Sequence, residues 1–220
     1  MGQSWTPRSV GPLGKDSDQV WLAIASSSDG TKLAAAGRHG INGDSGLWTS
    51  TDSGLSWKES STGVPTFRAI TSSSDGEKLA AATLTRVHGI PSSIWVSWDS
   101  GVSWSMSMVG LEPASQEQQY WRAITSSSDG TKLAAASSTG YEYPYNPENP
   151  SDAGAGGNIW TSSGRGHVDG AMWTERSVGE KKHWRAIASS SDGTKLTAVA
   201  RFSDIWTSTD SGKSWSVPYQ

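Results

Sequence analysis

The densest set of residues able to do chemistry is Tyr141-Glu142-Tyr143-Pro144-Tyr145, three phenol rings around one carboxylate, with Asn146 and Asp152 close behind. Rings beside a carboxylate suit stacking on a sugar or on a proline-rich peptide. They suit equally the packing of the long Pro- and Gly-rich stretch 146–157 onto its own scaffold. Smaller polar groups stand in other segments: His39, Asn42 and Asp44, then Arg86 and His88, then Arg201 and Asp204. Arg68, Arg122 and Arg185 each follow an aromatic residue at a repeated position, where the first copy has Leu22. Such a set can ring an anion, or it can lay its stems between packed elements and leave the heads at a rim. His39, His88, His167 and His183 are scattered without the spacing of metal ligands, so neither a metal nor a cofactor is expected. Trp98 stands where the matching segments have Thr51, Ser163 and Thr209; it is a contact-site candidate, or it packs on a neighbouring turn.

Composition narrows the scaffold that must position these residues. The chain has 220 residues and a formal charge of -3, so it carries no basic field for nucleic acid. Cys is absent, which removes disulfides and thiolate metal sites and leaves the redox compartment open. No apolar run approaches the ~20 residues of a membrane helix, so membrane insertion is not expected. No secretory signal follows Met1, although an extracellular chain whose signal had been removed would look the same. A mean hydropathy of -0.49 would suit a disordered chain, but 13 Trp residues, each able to bury ~150–250 Å², supply a core if they are regularly placed.

They are. A segment that runs from an aromatic residue through A-I-A/T-S-S-S-D-G to K-L begins at Trp21, Phe67, Trp121 and Trp184, and reaches Leu33, Leu79, Leu133 and Leu196 after 12 residues each time. A second segment, I/L-W into S-x-D-S-G-x-S-W, runs from Trp48 to Trp57, Trp95 to Trp104 and Trp206 to Trp215; its third copy, Trp160 to Trp173, is stretched and keeps only Ser162 and Gly164. Each copy reads as four short strands, A to D. Strands A and B meet at Asp29-Gly30, Asp75-Gly76, Asp129-Gly130 and Asp192-Gly193, a strong hairpin signal. Strands C and D meet at the S-x-D-S-G turn, whose Asp can accept hydrogen bonds from the turn's own amides. The Ala runs of strand B leave room for close sheet packing, as the inside of a propeller requires. One domain over 1–220 is expected, with blades at about 21–62, 67–109, 121–178 and 184–217.

At these residues the chain resembles the Asp-box (BNR) repeat proteins, which include sialidases, xyloglucanases, sorting-receptor ectodomains and photosystem-assembly propellers. The resemblance covers Trp5 to Trp215 and implies an all-β fold, a small propeller of four four-stranded blades. It also implies that Asp52, Gly54, Trp57, Asp99, Gly101, Trp104, Asp210, Gly212 and Trp215 are folding residues of the boxes. Sialidases of this group hold a carboxylate with arginines from several blades and pair a Tyr and a Glu with an acidic residue; Tyr141-Glu142 matches only in sequence adjacency, so no enzyme is expected.

The A–B turns are invariant, while the B–C and D–A connections vary in length and lie together on the other face of an up-and-down blade. That face, with Tyr141, Glu142, Tyr143, Tyr145, Arg86, His88, His39 and Arg201, and with Trp98 in addition, is expected to bind a glycan or a protein partner. A self-assembling structural subunit is the alternative, and a glycoside hydrolase the remotest. The alternative comes from Trp5 to Val10, which nearly repeats Trp173 to Val178 and makes a fifth D-type strand. Such a strand closes the ring in cis, the favoured expectation, or is donated to another subunit to form oligomers or filaments. Truncating 141–157 is expected to leave Tm nearly unchanged, measured by thermal unfolding, because an exposed loop holds little of the core; unfolding would make the loop architectural.

Overall fold

The computed structural model describes residues 6–7, 19–39, 45–60, 67–83, 92–107, 120–138, 156–164, 173–179 and 181–218, and every regular element among them is a β-strand. Fifteen strands form four antiparallel sheets. Sheet 1 holds β1 (Gln19–Ser26), β2 (Leu33–His39), β3 (Ser45–Ser50) and β4 (Lys58–Ser60). Sheet 2 holds β5 (Phe67–Ser72), β6 (Leu79–Thr83), β7 (Ile94–Ser97) and β8 (Ser105–Ser107). Sheet 3 holds β9 (Tyr120–Ser126), β10 (Lys132–Ser138), β11 (Gly156–Ser163) and β12 (Thr174–Arg176). Sheet 4 holds β13 (Trp184–Ser189), β14 (Leu196–Ala200) and β15 (Ile205–Ser208). In each, the strands pair in chain order, an up-and-down meander.

The hairpins explain the order. The glycines of the A–B turns sit at φ 66 to 74°, a left-handed conformation that costs Gly nothing. The short turn then fixes the register, Ser26 opposite Leu33 and Ser72 opposite Leu79. Every A strand also carries a β-bulge at one repeated position. Leu22, Arg68, Arg122 and Arg185 are skipped in the ladder between Trp21 and Ala23, Phe67 and Ala69, Trp121 and Ala123, and Trp184 and Ala186.

One expected strand differs, and another falls largely outside the described residues. The fourth D-type segment, Trp215 to Val217, forms only an isolated bridge: Thr207 and Ser216 exchange two backbone hydrogen bonds of 2.8 Å. Pro218 follows and has no amide to extend the ladder, so sheet 4 has three strands rather than four. Of the segment Trp5 to Val10, only Thr6 and Pro7 are among the described residues; both are exposed and belong to no strand.

The core lies between the sheets rather than within any one of them. Ile70 and Phe67 of sheet 2 pack with Ala34, Ala36 and Leu47 of sheet 1. Ile124 and Trp121 of sheet 3 pack with Ala80, Ala82, Ile94 and Val96 of sheet 2. Ile187 and Trp184 of sheet 4 pack with Ala134, Ala136 and Ile159 of sheet 3. The small B-strand alanines let a bulky A strand approach, so three near-identical interfaces join four sheets. Ile124→Ala is expected to lower stability by about 2–5 kcal/mol in denaturant titration, through lost burial and the cavity left in a packed interface.

Candidate functional site

Three S-x-D-S-G-x-S-W turns have the same wiring. The Ser50 hydroxyl donates to Asp52 Oδ1 at 2.7 Å and accepts the Gly54 amide at 2.9 Å. The Asp52 carboxylate accepts the Ser56 amide at 2.9 Å and the Ser56 hydroxyl at 2.5 Å. Ser97, Asp99, Gly101 and Ser103 repeat these bonds, as do Ser208, Asp210, Gly212 and Ser214. The indole N–H of Trp104 donates to Gly101 O at 3.2 Å and that of Trp215 to Gly212 O at 3.1 Å, so each Trp seals its own turn. Gly54, Gly101 and Gly212 lie at φ 81 to 84°, and the serines before them are left-handed too, at 58 to 61°. These carboxylates spend their acceptors inside their own turns, and so do those of the A–B hairpins. Asp29 takes the Ser27 hydroxyl at 2.6 Å, the Thr31 amide at 3.0 Å and the Thr31 hydroxyl.

The third copy of the turn breaks the pattern. Gly164 stands where the others have Asp, and the buried Ser162 hydroxyl, equivalent to Ser50, has no hydrogen-bond partner among the described residues. A cleft of about 250 Å³ opens there between sheets 3 and 4, lined by Ser162, Lys132, Arg176 and Lys213 among others. Two of these cations are already engaged, Lys132 with Asp192 O at 2.8 Å and Arg176 with Thr161 Oγ1 at 2.7 Å. The signal for this cleft was in the sequence, as the missing Asp of the third box.

The other end of the sheets is built by the bulges. A bulge re-aims the side chain it carries. Here it sets Arg68, Arg122 and Arg185 at the start of three successive A strands, beside the ends of the B strands. Arg122 is buried, Arg68 half-buried and Arg185 exposed. Arg201 follows the end of β14, and its amide donates to His183 O at 2.8 Å. Partial desolvation first, then repulsion from Arg201 and Arg68, hold the Arg185 guanidinium below the usual arginine value. Arg185 and Arg201 therefore stand at the same end of sheet 4, with Arg68 and Arg122 at the equivalent places of sheets 2 and 3. His183 lies nearby, its Nδ1 3.3 Å from the Ser138 hydroxyl.

The expected site residues separate. Arg201 is at this B–C/D–A end, and His39 closes β2 there, its backbone paired with Gln19. Trp98 is at the opposite, turn-bearing end; half-buried, it lies under Lys78, whose Nζ is 5.4 Å from its ring centroid, beside a narrow gap between sheets 2 and 3. Tyr141, Glu142, Tyr143, Tyr145, Arg86 and His88 lie outside the described residues. Among the described residues no group of three His, Cys, Asp or Glu side chains could hold a metal ion.

No protein-family model matches the chain, and no curated protein matches its sequence. Solved structures do. Hydrazine synthase from Kuenenia stuttgartiensis superposes with a TM-score of 0.61 at 16% identity, over 84% of this chain and 52% of that one. TolB from Acinetobacter baumannii gives 0.57 at 12%, over 90% and 43%. The nidogen/laminin complex gives 0.57 at 11%, over 88% and 62%. The chain is thus similar in fold to β-propeller proteins and spans less than two thirds of the length of these neighbours.

The turn carboxylates set a pH dependence. Asp29, Asp52, Asp129 and Asp210 are held down at about 2 against an ordinary 3.8. The cause at Asp29 and Asp129 is the serine hydroxyl two residues before, then the amide two residues on; at Asp52 and Asp210 it is the serine hydroxyl and amide four residues on. Asp192 lies lower still and Asp75 is lowered; at Asp99 burial pulls upward and the Ser103 and Ser97 bonds outweigh it. A folded value below the unfolded one contributes stability that is present above about pH 4 and lost as pH falls toward about 2. Tm is expected to stay level from neutral pH down to about 5 and to fall between about 4 and 2, with a shallower fall in a D52N/D99N/D210N variant. Equal acid profiles for the two proteins would contradict this.

Proposed function

We propose that the chain is a non-enzymatic β-propeller of four blades in one domain, which acts by binding through its B–C/D–A face. The ligand is an acidic one, a carboxylate-bearing glycan or an acidic patch of a protein. The observation that supports this is the repeated bulge that sets Arg68, Arg122 and Arg185 at the start of successive A strands, with Arg201 just past the B strand paired to Arg185's own. Several guanidiniums on one face favour an anionic ligand over a neutral one. Arginine suits the task because its planar fork grips a carboxylate with two parallel bonds. The opposite face supplies the contrast, since the aspartates of its turns are consumed as acceptors there. The same division supports binding over turnover in this reading: the cationic face has positioned guanidiniums, while the aspartates described at the other end are tied up as acceptors.

Acidic and neutral glycans on an array, followed by calorimetry on those retained, test the proposal. Arg185→Ala with Arg201→Ala is expected to weaken binding of an acidic ligand by at least tenfold, about 1.4 kcal/mol, and to steepen no unfolding transition. Affinity should fall with added salt. Binding confined to neutral glycans, or turnover of a sialoside or xyloglucan, would overturn it.

A further inference from the structure

We propose that two copies of this chain join head to tail, the fourth sheet of each packing on the first sheet of its partner, to close one ring of eight sheets.

The two ends of the row of sheets are unfinished in complementary ways. Ile70, Ile124 and Ile187 are 7%, 7% and 9% exposed because the preceding sheet covers them, whereas Ile24, the same residue of sheet 1, is 67% exposed. On the other side, Leu47, Ile94 and Ile159 are fully covered by the following sheet, whereas Ile205, their equivalent in sheet 4, is 55% exposed. Trp21 is half-exposed where Phe67, Trp121 and Trp184 are buried. Each of these residues is apolar at a place where its three counterparts form core, so the exposed patches are halves of an interface the chain already builds three times.

The polar groups show the same vacancy. The A–B turns are stitched by one repeated bond: Ser28 N donates to Ser74 O at 2.8 Å, Ser74 N to Ser128 O at 2.7 Å and Ser128 N to Ser191 O at 2.7 Å. Among the described residues, this leaves the Ser191 amide as a donor at one end and the Ser28 carbonyl as an acceptor at the other. A lysine makes a second stitch. Lys78 Nζ donates to Asp129 O and Lys132 Nζ to Asp192 O, while the stems of Lys32, Lys78 and Lys132 lie over Gly76, Gly130 and Gly193. Gly30 has nothing within 4 Å of its missing side chain, and Lys195 is the last of the series. Lys195 of one copy fits over the partner's Gly30, as Ser191 fits the partner's Ser28.

The vacancy selects its occupant. The covering surface must present a sheet-4 face to sheet 1 and a sheet-1 face to sheet 4, and a second copy presents both. Because the contact is heterologous, it must close to avoid a fibre. Propellers close with about four to eight blades, and two copies of four sheets meet that limit where three do not. The arrangement needs no strand donated from 1–11, and it is independent of the ligand proposed above.

Light scattering on the full chain at micromolar concentration tests it, with a mass of twice 23.3 kDa expected. Ile24→Asp and Ile205→Asp alter residues exposed in a single copy, so each variant is expected to keep its far-UV dichroism and to run as a monomer. Mixing the two variants is the decisive arm. One intact joint remains between the Ile205 face of the first variant and the Ile24 face of the second, so the mixture is expected to recover a species of dimer mass. A monomeric wild type overturns the proposal, and so does an open series of growing masses. A dimer that survives both substitutions but is lost on deleting residues 1–11 overturns it in favour of strand exchange.

Discussion

The contact between a bulky A strand and the alanine face of the sheet before it is what the rest of the structure depends on. A four-stranded sheet of this size cannot bury enough apolar surface by itself, and the strands are short, three to eight residues. Only when Ile70, Ile124 or Ile187 is covered by a neighbouring sheet does a core exist. The B-strand alanines are small because anything larger would hold the sheets apart. The indoles of Trp121 and Trp184 then donate to backbone carbonyls of the preceding sheet, Ser92 at 3.4 Å and Gly157 at 3.0 Å, so the filler is oriented as well as buried.

That dependence divides the molecule into two faces with different duties. At the turn end, serine, threonine and aspartate side chains bond the backbone of the four A–B turns and of three C–D turns, and the sheets are stitched to one another by backbone bonds. Such an end holds the scaffold and has few polar groups to spare. At the other end, the bulges take Arg68, Arg122 and Arg185 out of the ladder.

Much of this was legible because it is local. Asp29-Gly30 and its counterparts announce a hairpin within two residues, and the S-x-D-S-G turns announce their own hydrogen bonds within five. What was not legible depends on partners distant in sequence. The bulge at Arg68 is a slip against Thr83 and Ala82, which no pattern in β5 reveals. The left-handed serines at 53, 100 and 211 are held by contacts such as Ser53 N to Thr31 O at 2.9 Å, a bond between two different turns. Trp215 to Val217 reads as a strand by likeness to the other copies, and it takes the downstream Pro218 to limit it to a bridge. Tyr141 to Tyr145 drew attention by composition and Arg68, Arg122 and Arg185 by their repeated position, whereas the place of Arg201 at the same end of sheet 4 emerged only from the pairing of β13 with β14.

The bond that runs from Ser28 to Ser74 to Ser128 to Ser191 has a direction, always amide of the earlier repeat to carbonyl of the later one. A chain held together by a directional, identical link is indifferent to how many links it contains. Duplicating or losing one whole repeat leaves the same two chemical ends and changes only the count of internal joints, so a history of repeat duplication calls for no new kind of contact between repeats. The near-identity of the A–B segments, set against the freedom of the connections that follow them, is what such a history would leave behind.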